Sequence, residues 1–111
     1  MRQTTALLIL FVAAVLEAGG DALVRSGIHA SVSGTRFLFW LMGAVVLFSY
    51  GYVVNAPPWD FGRLLGIYVV FFFVVAQIIS WAAFHQKPDR WVMIGGCFVI
   101  LGGLVMSIGS R

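Results

Sequence analysis

The chain reads as an all-α integral membrane protein of four transmembrane helices, and three observations lead there. Of its 111 residues 61% are hydrophobic and only 10% are charged, against about 25% charged in a typical soluble domain. A short chain with so few polar residues cannot cover the surface of a soluble globule. The apolar residues also fall into four runs, each close to the ~20 residues a helix needs to cross a bilayer core of about 30 Å. Finally, runs such as VVFFFVVAQII do not alternate, which argues against the strands of a membrane barrel. In lipid each backbone polar group needs a partner within the structure, and helices supply one. Cys97 is the only cysteine, which excludes an intrachain disulfide and a Cys-rich metal site. The basic residues are scattered, so no nucleic-acid surface is expected.

The first span covers about residues 4–24 and contains Glu17 and Asp21. Arg2 followed by ALLILFVAAVL resembles a signal peptide, but the apolar run continues through Glu17 to Val24 without a clean small-x-small cleavage site. Signal-peptide cleavage is the minor alternative and the stretch is read as a span, with Ser26-Gly27 as its stop. The second span, about 37–55, is uncharged, with Ser33 or Thr35 available as a cap and Pro57-Pro58 closing it. Asp60 stands before the third span, about 64–84, and Pro88-Asp89 before the fourth, about 91–110; either Asp suits an N-cap. Connections this short make successive helices antiparallel. Trp40, Trp59, Trp81 and Trp91 lie near span ends, as an interfacial aromatic belt requires. Together these spans make one four-helix domain over residues 1–111, multi-pass in the cell (inner) membrane.

The positive-inside rule counts Lys and Arg in short loops. One side carries Arg2, Arg63 and Arg111, the other Arg25, Arg36, Lys87 and Arg90. So small a bias permits either a single, weakly favoured orientation or dual topology, in which opposed copies pair as an antiparallel homodimer and one chain serves as both inverted repeats. Size favours pairing, because four short helices cannot both enclose a polar path and shield it from lipid. Gly95, Gly102 and Gly109 recur every seven residues on the fourth helix, flanked by Gly96 and Gly103. Small residues at that spacing suit a dimer interface or a packing seam within one chain.

Glu17 is the most informative residue. An ionisable group inside a membrane helix is costly and marks function by default. It lies roughly 20 Å along the first span, at ~1.5 Å rise per residue. Asp21 and Arg25 follow at successive four-residue steps on the same face. Asp21 is either the partner of Arg25 near the membrane surface or a second carboxylate in the same cavity. Ala13, Ala14 and Gly20 lie on or beside this face, leaving room for a ligand or for another helix. Tyr68 in the third span and Tyr50 in the second offer aromatic faces that attract an organic cation beside a carboxylate, although Tyr52 suits the interface better. Gln77 is expected to hydrogen-bond between helices, Cys97 to be a small buried residue, and His29 and His85 to lie solvated in loops. No nucleophile–base pair, phosphate loop or metal spacing is present, so neither enzyme chemistry nor a cofactor is expected.

These residues carry a family resemblance. AAVLEAGGDALVRSG resembles the first helix of the small multidrug resistance family, with Glu17, Gly20 and Arg25 at matching positions. ISWAAFHQKPDRWVMIGGCFVILGG is similar to that family's third-helix end, loop and fourth helix, with Trp81, Phe84, Gln86, Gly95 and Gly102 in register. The same register puts Tyr68 where the family often has a binding-site tryptophan. GRLLGIY resembles the YnfA-type branch. The resemblance implies an antiparallel homodimer that exchanges protons for small or hydrophobic organic cations. Glu17 then binds proton or substrate alternately; with the residues read above from the helix faces, Asp21, Ala13, Gly20, Tyr50 and Tyr68 are expected to line the substrate site. Three departures mark a divergent member: Asp21 where an uncharged residue is usual, Val70 and Phe72 in place of hinge glycines, and NAPPWDFGR as the second connection. They leave open a narrower carrier for guanidinium-like or polyamine-like cations, or a non-transporting membrane assembly subunit.

Overall fold

A computed structural model describes residues 2–109. It is helical throughout, with no strand among the described residues: α1 (Gln3–Ile28), α2 (Ser33–Val54), α3 (Phe61–Phe84) and α4 (Arg90–Gly109). All four are long and apolar enough to cross a membrane. Ser110, at the end of the expected fourth span, and Arg111, in the charge count, lie outside the described residues.

The helices overrun the apolar segments because helical hydrogen bonding continues into the interface after the lipid-facing residues stop. Ser26-Gly27 does not end α1, which runs on to Ile28 with Gly27 buried against the Trp40 ring. Ser33 and Thr35 lie inside α2, whose N-cap is Val32, without a side-chain cap. Asp60 is the N-cap of α3 but its carboxylate makes no capping bond. Asp89 does cap α4, accepting a hydrogen bond from the Val92 amide at 2.9 Å. The C-terminus of α3 closes with His85 in the left-handed region (φ 56°), its amide bonded to the Trp81 carbonyl at 3.1 Å and the Gln86 amide to the Ser80 carbonyl at 3.0 Å, an αL closure that turns the chain sharply.

Packing order is α2–α1–α3–α4, with α1 and α3 in the middle. Two glycine-lined seams hold the outer helices. Gly20 meets Leu47, Gly43 meets Val24 and Gly27 meets Trp40, a register that runs α1 and α2 antiparallel. Gly66 meets Met106, Val70 meets Gly103 and Phe73 meets Gly96, which does the same for α3 and α4. Between the inner helices, Ala6, Leu10, Ala13, Ala14 and Ala18 of α1 are buried with Leu64, Ile67, Tyr68 and Val75 of α3. Alanines at helical spacing let α3 approach closely, and that close approach brings a tyrosine hydroxyl to a carboxyl on α1. Cys97 is exposed on α4 rather than buried, because Gly96 and Gly103 turn the adjacent face of that helix inward. The Gln77 side chain makes no hydrogen bond among the described residues.

Candidate functional site

Tyr68 is buried on α3, 4% exposed. Its hydroxyl donates to Glu17 Oε1 at 2.7 Å, and the Ala13 carbonyl oxygen lies 3.3 Å from it. A hydroxyl donating to a carboxyl oxygen at this distance is a strong hydrogen bond in a low-dielectric setting. Two further rings complete the surroundings. Tyr50 of α2 lies 5.6 Å from the Tyr68 ring centroid and Phe72, one turn on along α3, lies 6.2 Å from it. Both are tilted, at 34° and 32°, a favourable arrangement for aromatic pairs. Three helices therefore contribute to one cluster: a carboxyl, a hydroxyl bonded to it, and the faces of aromatic rings.

Glu17, Tyr68, Tyr50 and Ala13 are brought together in this cluster. Asp21 lies one turn along α1 and lines a cleft of roughly 180 Å³ between α1 and α3. Gly20 does not face that cleft: it packs on Leu47 of α2, and a Cβ there would collide with the leucine side chain. Its missing side chain makes room for a helix. Gly95, Gly102 and Gly109 face open space, with nothing within 4 Å of where a Cβ would stand.

Three features escaped the sequence reading. Phe72 joins the tyrosines; its four-residue spacing from Tyr68 on α3 was the available signal. Ser80 and Gln86 face the cleft together, the Ser80 hydroxyl lying 3.2 Å from the Gln86 carbonyl oxygen, because the left-handed turn at His85 folds the chain back; nothing in the sequence spacing announces that. Arg25 does not pair with Asp21; its guanidinium lies over the Phe84 ring, 5.2 Å from the centroid.

Chemically, the cluster offers an organic cation a carboxylate and ring faces at once. It offers a proton the same carboxylate, with Tyr68 able to move its hydrogen bond to the Ala13 carbonyl.

Comparison with known proteins agrees with a small multi-pass membrane protein. A family model described as "Uncharacterised BCR, YnfA/UPF0060 family" matches residues 3–111. Among similar proteins, a UPF0060 membrane protein of Clostridium beijerinckii is 29% identical, covering 100% of this chain and 99% of the relative. One from Saccharopolyspora erythraea is 36% identical over 93% of each, and one from Staphylococcus carnosus 31% over 95% of each. No solved structure matches the chain.

Proposed function

The chain belongs to the YnfA/UPF0060 family of membrane proteins, and within that family we propose that it is a proton-coupled exporter of small or hydrophobic organic cations, related to the small multidrug resistance carriers. The observation that supports this reading is the Glu17 carboxyl inside a membrane span, hydrogen-bonded by Tyr68 and beside the ring of Tyr50. A bound cation and a bound proton compete for one carboxylate, and that exclusion couples the two flows. Glu17 is the proton-coupling residue; Glu17, Asp21, Ala13, Tyr50 and Tyr68 form the substrate region, with Gly20 supporting it by closing α1 on α2. The chain acts as a carrier, without a cofactor or enzyme chemistry.

The working unit in this proposal is an antiparallel, dual-topology homodimer. Gly95, Gly102 and Gly109 face outward from α4, on a helix whose adjacent face already packs on α3, and they form the contact with the second copy. A narrower specificity, for guanidinium-like or polyamine-like cations, is favoured by Asp21 one turn from Glu17, since two carboxylates suit a ligand with more than one positive charge. The test is proton release from purified protein on adding candidate cations, with solid-supported membrane currents on wild type and Glu17→Gln. Substrate-driven proton release that is lost in Glu17→Gln supports a carrier. Its absence with every cation tried leaves an assembly subunit as the better reading.

A further inference from the structure

Asp21 and Arg25 stand on adjacent turns of α1 and line the same cleft, yet they are not paired with each other. Such a pairing is the ordinary outcome. An acidic residue four positions before a basic one is the favoured orientation for an ion pair on a helix, and at the edge of a membrane unpaired charges are costly. Here Phe84, the last residue of α3, draws the Arg25 guanidinium across the gap onto its ring, with 5.2 Å to the centroid. The carboxylate and the guanidinium consequently address one cavity from separate positions. Opposite them the left-handed turn at His85 brings Ser80 and Gln86 together as a hydroxyl and an amide, and Phe72 supplies an apolar wall. A cleft built for a plain cation would not hold a guanidinium at its rim, since like charges repel.

We propose that this outer cleft binds amphoteric small molecules, with the ligand's ammonium group at Asp21 and its carboxylate at Arg25. The proposal rests on reading the Glu17 cluster as the inner end of the same cation path, and it narrows the substrate class from organic cations to amines that also carry an anionic group. The two residues stand one helical turn apart, about 5–6 Å between their Cβ atoms, and the Arg25 head reaches on to Phe84, so the matching ligand is an ω-amino acid whose charges are separated by a short methylene chain. Its methylenes lie against Phe72 and Phe84, and its carboxylate takes the planar fork of Arg25 in a bidentate pair, a geometry that lysine does not reproduce.

The experiment is calorimetric titration of the full-length chain in phosphatidylcholine nanodiscs with β-alanine, γ-aminobutyrate, ε-aminocaproate, n-butylammonium and butyrate. At least one amino acid of the series should bind about tenfold or more tightly than either single-charge probe, as the addition of a charge-assisted hydrogen bond implies. Arg25→Gln should abolish that preference and bind n-butylammonium no worse than wild type does. Arg25→Lys, which keeps the charge, should retain part of the preference and serves if Arg25→Gln does not fold. The proposal is overturned if n-butylammonium binds as well as every amino acid, or if Arg25→Gln tightens amine and amino acid alike, since Arg25 is then only a repelling charge. These binding outcomes are separable from the transport reading, which fails on the absence of any Glu17-dependent proton-coupled current.

Discussion

A carboxyl near the middle of a membrane helix has no bulk water to solvate it, so the groups folded around it decide its behaviour. Glu17 has one such group within hydrogen-bond distance, the Tyr68 hydroxyl at 2.7 Å. Replacing Tyr68 with Phe keeps the ring between Tyr50 and Phe72 and removes the bond alone. It should lower stability by about 0.5–1.5 kcal/mol, read from chemical unfolding in detergent, and should alter the pH dependence of any transport current while leaving the ring contacts intact. Glu17→Gln should abolish proton-coupled current. Asp21→Asn should preserve coupling and change substrate preference, because Asp21 lines the cleft and, unlike Glu17, takes no hydrogen bond from Tyr68. Both variants should still insert, since neutralising a membrane carboxylate lowers the cost of burial. Retained coupling in Glu17→Gln together with its loss in Asp21→Asn would reverse the two roles. Measuring current against pH for the wild type and both variants decides.

Among the elements, α4 carries two adjacent glycine rows with opposite fates. Gly96 and Gly103 accept Phe73 and Val70 from α3, while Gly95 and Gly102 meet nothing. Gly103→Leu should therefore damage the protomer itself, by about 1–3 kcal/mol as overpacked interiors usually show, measured by unfolding of the detergent-solubilised chain. Gly102→Leu should leave the protomer's stability unchanged and lower the crosslinked dimer fraction in bilayers, because a large side chain holds helix backbones apart. An undiminished dimer fraction would remove this row from the contact between copies. The end of α3 offers a separate test. His85 occupies the left-handed region at φ 56°, where a Cβ is unfavourable by roughly 1–2 kcal/mol. Substituting Gly there should raise stability by about 0.5–1 kcal/mol once its greater backbone entropy in the unfolded chain is offset, as an upward shift of the thermal midpoint would record.

For the whole molecule, the order α2–α1–α3–α4 and extents of 50 × 33 × 19 Å describe a flat slab whose inner helices, α1 and α3, carry the Glu17–Tyr68 pair. At the end formed by the first and third connections, every basic side chain lies over an aromatic ring: Arg25 on Phe84, Arg36 on Trp40, Lys87 on Trp81 and Arg90 on Trp91. Cations so placed suit the interface, but in number they barely exceed the Arg2, Arg63 and Arg111 that the sequence order assigns to the other side. Orientation should therefore yield to small changes in charge. Two lysines added beside His29 should lock a single orientation, read by paired C-terminal reporters active on opposite sides of the membrane. Exclusive activity of one reporter in the wild type would exclude dual topology.

The number and kind of elements, and the carboxyl around which the aromatic cluster gathers, were legible in the sequence alone. Lipid imposes both: it demands apolar runs of a fixed length with internally bonded backbones, and it makes one carboxyl in such a run conspicuous. Tyr50 and Tyr68 were legible beside Glu17 because aromatic residues near a membrane carboxylate are few. What only the tertiary structure decided was the rotation of each helix about its own axis. Apolar residues cover all faces of these spans, so periodicity does not distinguish an inward face from a lipid-facing one. Rotation put Gly96 and Gly103 inside, Gly95, Gly102 and Cys97 outside, and Gly20 against Leu47 instead of the cleft. It also set Phe84 within reach of Arg25, which parted Arg25 from Asp21, because a ring supplied by another helix competes with a partner one turn away and spacing along one helix does not record that ring.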